Sequence, residues 1–168
     1  MTTYLVLTAI GDDKPGLVES LAQTIANNGG NWLESSMSQL AGKFAGVLRV
    51  SVNNQDADRL IDALEGLSDH LTLVIERVDI DEAHNTEQTV KLKLIGNDRA
   101  GIVREISHAL AKLSVNVEKL SSECVPAPMS GEALFKASAL LKVPEGLGLE
   151  DLQNELEGLA DDLIVELQ

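Results

Sequence analysis

Apolar residues recur along this chain in two rhythms that alternate in a fixed order. From Thr3 to Ile10 the period is two, with Leu5, Leu7 and Ala9 on one side and Tyr4, Val6, Thr8 and Ile10 on the other, which predicts a strand. Leu17, Val18, Leu21, Ala22 and Ile25 then follow the i, i+3, i+4 spacing of an amphipathic helix, with Asp13 and Pro15 suited to its start and Gly29-Gly30 to its stop. Two further strands, Trp32 to Leu40 and Phe44 to Val52, are expected to form a hairpin through Ala41-Gly42-Lys43. Leu60, Ile61, Leu64 and Leu67 give the stretch from Asp56 to Leu67 helical spacing, and a strand from Leu71 to Ile80 closes the set.

The same order returns. Strands are expected over Thr89 to Ile95, Val117 to Cys124, Ala133 to Val143 and Leu163 to Leu167. Helices are expected through Ile102, Val103, Ile106, Leu110 and Leu113, and from Leu149 to Leu159. The stretch Ile10-Gly11-Asp12-Asp13-Lys14-Pro15-Gly16-Leu17-Val18 reappears as Ile95-Gly96-Asn97-Asp98-Arg99-Ala100-Gly101-Ile102-Val103 at an offset of 85 positions, which also relates Asn31 to Asn116. Phe44 and Phe135 stand 91 apart, so the second copy carries a six-residue insertion near Val125 to Ser130. Insertions belong in connections, where the backbone stays solvated.

A repeat of this period divides 168 residues into two domains of about 80 each. We expect domains over residues 1–81 and 89–168, with the polar, aperiodic stretch 82–88 as the linker. Each helix must bury one stripe and each sheet one face. The order strand, helix, strand, strand, helix, strand therefore predicts two ferredoxin-like α+β (βαββαβ) domains, with both helices on one side of a four-stranded antiparallel sheet. The outward positions differ: the first strand is apolar on both sides, whereas Lys91 and Lys93 make the second wet on one. The first sheet is thus expected to be covered on its outer face by another copy of the protein, making a homo-oligomer.

Charge narrows the function classes. The net charge of −14 is spread over both halves, with five Lys and Arg against thirteen Asp and Glu in residues 1–85, and eight against fourteen in 86–168. An acidic surface without clustered Lys and Arg along the sequence argues against direct nucleic-acid binding, and aromatics at 2% leave little to stack on bases. Cys124, the single cysteine, excludes an internal disulfide and a zinc cluster. With no apolar run of membrane-spanning length and no basic-then-apolar leader, a cytoplasmic protein is expected.

Catalytic constellations are not found, and we expect no enzyme and no metal. His70, His84 and His108 have no matching partners in the repeat, Cys124 has no evident base, and adjacent acidic pairs such as Asp12-Asp13 and Asp161-Asp162 point apart in regular structure.

The repeated loop suits a different task. A free amino acid presents a carboxylate and an ammonium close together, so its receptor needs donors and acceptors side by side. Backbone N–H groups around Gly16-Leu17 and Gly101-Ile102 at a helix start can face the carboxylate. Asp13 and Asp98 can accept from the ammonium, and Asn31 and Asn116 offer both a donor and an acceptor. Purely structural roles compete with each: the two Asp as helix N-caps, the two Gly for helix-to-sheet packing, the two Asn as turn residues.

With this element order and the Asp13-Lys14-Pro15-Gly16-Leu17 loop, the chain resembles a tandem pair of ACT domains, and more narrowly the glycine cleavage system transcriptional repressor family. The second copy departs by having Ala100 where Pro is common. The resemblance implies a cofactor-free cytoplasmic regulator that restrains a transcriptional activator by protein contact, with glycine relieving the restraint. It also implies that the loop and strand-entry positions Asp13, Pro15, Gly16, Leu17, Asn31, Asp98, Gly101, Ile102 and Asn116 line ligand sites. Two other readings stay open: a constitutive protein-interaction module, and a detached feedback subunit of a metabolic enzyme.

Overall fold

The structure is a computed structural model and describes residues 1–79 and 87–168. Ile80, His84 and most of the expected linker lie outside the described residues. The chain divides into two compact units, residues 1–82 and 83–168.

In the first unit the order is β1 (Thr2–Asp12), α1 (Leu17–Asn27), β2 (Asn31–Leu40), β3 (Lys43–Asn53), α2 (Asn54–Glu65) and β4 (Thr72–Val78). The second repeats it as β5 (Gln88–Asn97), α3 (Ile102–Lys112), β6 (Asn116–Pro126), β7 (Ala133–Val143), α4 (Leu149–Glu157) and β8 (Ile164–Leu167). Each unit forms one antiparallel sheet, in the orders β2-β3-β1-β4 and β6-β7-β5-β8. This is the expected α+β, ferredoxin-like arrangement, present twice. Gln88, expected in the linker, is instead the first residue of β5 and pairs with Val143.

The alternation in each strand selects the buried face. Leu5, Leu7, Leu48 and Val50 from the first sheet meet Leu21 and Ile25 of α1 and Leu60 and Leu64 of α2. Leu92, Leu94, Ala139 and Leu141 meet Ile106, Leu110, Leu152 and Leu156 in the same way. Burying each Leu or Ile side chain contributes roughly 1.5–3 kcal/mol. The two hairpins differ as the insertion requires. Leu40 pairs with Lys43 across a two-residue turn in which Ala41 and Gly42 both have positive φ, at 50° and 79°. That is the type I′ geometry whose twist matches the strands it joins. In the second hairpin Pro126 pairs with Ala133, and residues 127–132 form a longer turn closed by the Ala127 N–H donating to the Glu132 carbonyl at 2.6 Å.

The faces turned away from the helices are unlike each other. On the first sheet Ile10, Val47 and Val74 are 45%, 48% and 53% exposed, and the two cations there among the described residues are both paired, Arg49 with Glu34 at 3.0 Å and Lys43 with Asp12. On the second sheet the register aligns Lys91, Lys93, Lys119, Lys136 and Lys142 on the outward face. The absence of a Lys and Arg cluster expected from sequence is thereby corrected. Apart from Lys91 and Lys93 the lysines are well separated along the chain, and the five lie on three strands, so only the register gathers them.

Candidate functional site

The first βα connection is held at both ends before it turns. Asp12, the last residue of β1, pairs with Lys43, and the Asp13 N–H donates to the Gly42 carbonyl at 3.0 Å. The Lys43 ammonium holds the Asp12 carboxyl below the usual carboxylate range. The chain then passes through Lys14 and Pro15 to Gly16, whose φ of 90° and ψ of −1° lie in the left-handed region. A side chain there is strained although its Cβ would meet no atom within 4 Å. Helix-to-sheet packing therefore does not explain this glycine, and the same holds for Gly101 at φ 86°. Packing governs the preceding glycines instead: a Cβ on Gly11 would stand 2.8 Å from the His70 carbonyl oxygen, and one on Gly96 would stand 2.5 Å from Leu163 Cδ2.

Gly16 and Gly101 occupy the N-cap positions of α1 and α3, and neither helix has a side-chain cap. Capping as the role of Asp13 and Asp98 is thus overturned. The first intrahelical bond of α1 runs from the Ser20 N–H to the Gly16 carbonyl at 2.9 Å, so the N–H groups of Leu17, Val18 and Glu19 have no acceptor within the helix. Those three residues, with Asp13, Lys14, Gly16 and Phe44, line a cavity of about 170 Å³. Drug-sized ligands need pockets of roughly 300–1,000 Å³, so this one suits a small molecule. One concavity thus holds a carboxylate, an ammonium and a helix N-terminus.

Asp13, Gly16 and Leu17 are brought together here; Pro15 shapes the turn without lining the cavity. Lys14, Glu19 and Phe44 line it without having been assigned a role from sequence. The two-residue hairpin carries the signal for Phe44, because that turn sets Phe44 opposite Gly11. Asn31 is elsewhere. It pairs with Ser51, which pairs with Tyr4, at the far end of β1 from the loop and about 25 Å away along the strand. Asn116, on the same rung as Lys142 and Thr89, stands equally far from Asp98. Within one unit neither Asn can share a pocket with the loop.

The second loop repeats the backbone and changes the side chains. The Asp98 N–H donates to the Ala133 carbonyl at 3.0 Å and the Glu105 N–H to the Gly101 carbonyl at 3.0 Å. Here, however, the Ile102 N–H donates to the Arg99 carbonyl at 3.3 Å, and Arg99, the counterpart of Lys14, pairs with Glu105. That hydrogen bond holds the Arg99 guanidinium above its usual value and the Glu105 carboxyl below it. Cys124 is an exposed residue whose sulfur is partly desolvated. That desolvation, then the hydrogen bond and charge of Asp98, push its thiol up. A thiol shifted in that direction is the opposite of an activated nucleophile. His70 and His108 are exposed, and no group of three potential metal ligands occurs among the described residues. No helix among the described residues is long and apolar enough to cross a membrane.

Comparison with known proteins agrees with this fold. Residues 3–77 match the ACT domain family model. The glycine cleavage system transcriptional repressor of Escherichia coli (strain K12) is 22% identical over 163 residues, which cover 95% of this chain and 85% of that protein. The crystal structure of an unknown protein from Galdieria sulphuraria superposes with a TM-score of 0.86 at 26% identity, over 100% of this chain and 98% of that one. The structure of a candidate glycine cleavage system transcriptional repressor superposes at 0.70 and 22% identity, covering 100% and 97%. Residues 3–77 match the ACT domain, the second unit repeats the same strand order, and over nearly its whole length the chain is similar to the glycine cleavage system transcriptional repressor.

Proposed function

We propose that this chain is a non-enzymatic regulator that binds a small amino acid, glycine being the best fit, at its first βα loop and thereby changes its affinity for a protein partner. The observation that carries the reading is the 170 Å³ cavity in which Asp13, Lys14 and the uncapped start of α1 converge. The ligand carboxylate is received by the Leu17 and Val18 N–H groups and the Lys14 ammonium, and the ligand ammonium by the Asp13 carboxylate. Neither contact activates a bond, so the site binds without performing chemistry. The Arg99–Glu105 pair and the Arg99–Ile102 backbone bond occupy the equivalent groups of the second loop, which makes the first loop the stronger site.

The likeness to the glycine cleavage repressor supports a transcriptional activator as the partner. Regulation then follows from linkage: glycine shifts the partner equilibrium only as far as it prefers one state over the other. The apolar outer face of the first sheet, with Ile10, Val47 and Val74, is the surface on which a second copy would pack. Isothermal titration of the whole protein with glycine tests the reading. Binding of about one glycine per chain, weakened about tenfold or more in Lys14→Ala, is expected. Absence of heat with any small amino acid would remove the ligand.

A further inference from the structure

The outer face of the second sheet is a cationic island on an acidic protein. Five of the eight Lys and Arg of residues 86–168 project from it, four of them exposed, and none forms an ion pair among the described residues. Two carboxylates stand close by in the register, Glu166 opposite Lys93 and Glu123 opposite Lys136, so the face remains in positive excess. Lysines on adjacent strands repel one another, and folding would be easier with them dispersed. Their middle is apolar. Leu140 sits on one rung between Lys91 and Lys119, and a depression of about 170 Å³ opens over it, walled by Lys91, Lys93, Lys119, Ser121 and Ser138. Beyond the rung of Lys93 and Ser138, Ile95 and Ile164, 38% and 61% exposed, form a second apolar spot beside Lys136.

We propose that this face docks an acidic amphipathic segment of a partner protein, with carboxylates against Lys91, Lys93 and Lys119 and an apolar side chain seated over Leu140. The charge pattern selects the occupant: lysine heads about 10 Å apart across the sheet bracket an apolar floor, so the complement is an apolar residue flanked by acidic ones. A nucleic acid fits less well, since among the described residues the face has no aromatic side chain to stack a base and no arginine to grip a phosphate by two bonds, and the net charge of −14 repels a polyanion. The inference is independent of the loop reading, because no step of it requires an amino-acid ligand.

The test uses the whole protein and a short fluorescein-labelled peptide of Leu-Glu-Glu-Leu repeats, followed by anisotropy and by amide shifts in NMR spectra. Binding that weakens with added salt is expected, with shifts centred on Lys91, Lys93, Ser121 and Leu140. Lys91→Gln with Lys93→Gln should weaken binding about tenfold and Lys119→Gln, across β7 on β6, about threefold, while Lys43→Gln on the first unit changes nothing. Circular dichroism confirms that each variant is folded, and Lys119→Gln decides alone if the double variant is not. No binding at low salt, equal binding by all variants, or tighter binding of a labelled oligothymidylate than of the peptide would overturn the proposal. It would equally be overturned if sedimentation showed the unliganded protein self-associating through these lysines and excluding the peptide.

Discussion

Single residues separate two kinds of glycine in the repeated loop. At Gly16 and Gly101 the constraint is positive φ in open space, so Gly16→Ala should cost about 1–2 kcal/mol through backbone strain alone, measured by urea unfolding. At Gly96 the added methyl meets Leu163, which must move as well, so Gly96→Ala should cost more than Gly101→Ala; equal costs would contradict the packing assigned to Gly96. Acid sensitivity is also local. Lys43 depresses Asp12 from its ordinary 3.8, and Arg99 depresses Glu105 from 4.5. A group depressed on folding stabilises the native state above its unfolded pKa and loses that contribution as pH falls through its folded value. The melting temperatures of Asp12→Asn and Glu105→Gln should therefore lie slightly below the parent at neutral pH and converge with it only as the pH falls below those depressed values, with a smaller gap in high salt. Asp13 and the two glycines were legible in the sequence because they recur. Phe44 and Glu19 were not, since which side chains wall a cavity depends on hairpin register and helix phase. Asn31 and Asn116 recur just as faithfully, yet lie at the wrong end of the sheet for the loop, because repetition preserves structural and binding residues alike.

Among elements, every strand and helix announced itself by its period, since a half-buried sheet and a one-sided helix leave unmistakable alternation in an aromatic-poor chain. Boundaries moved by a few residues where polar ends still pair, as with Asp12 against Lys43. The lysine face escaped because its members sit on β5, β6 and β7, and each strand alone looks merely solvated. The hairpin insertion is the element-level difference between the units. Because Pro126 and Ala133 already pair, replacing residues 127–132 with Ala-Gly should rebuild the tight turn of the first hairpin and leave the melting temperature within a few degrees of the parent. Leu60→Ala, by contrast, removes a fully buried contact between α2 and the first sheet and should cost about 2–5 kcal/mol in chemical unfolding.

For the whole molecule, the repeat places one core in each half. What duplication has not kept equal is the chemistry of the loops: Lys14 lines a cavity, whereas its counterpart Arg99 is tied to Glu105. On the proposed function, sensing runs through the first loop. The most direct test of that claim is a thermal-shift titration of the whole protein with glycine, run beside Lys14→Ala and Asp98→Ala. A ligand that binds only the folded state stabilises it by about 2.7 kcal/mol at 100 times its dissociation constant. A glycine-dependent rise that persists in Asp98→Ala and is lost in Lys14→Ala is the predicted result, and no rise in the parent, or a rise untouched by Lys14→Ala, would contradict it.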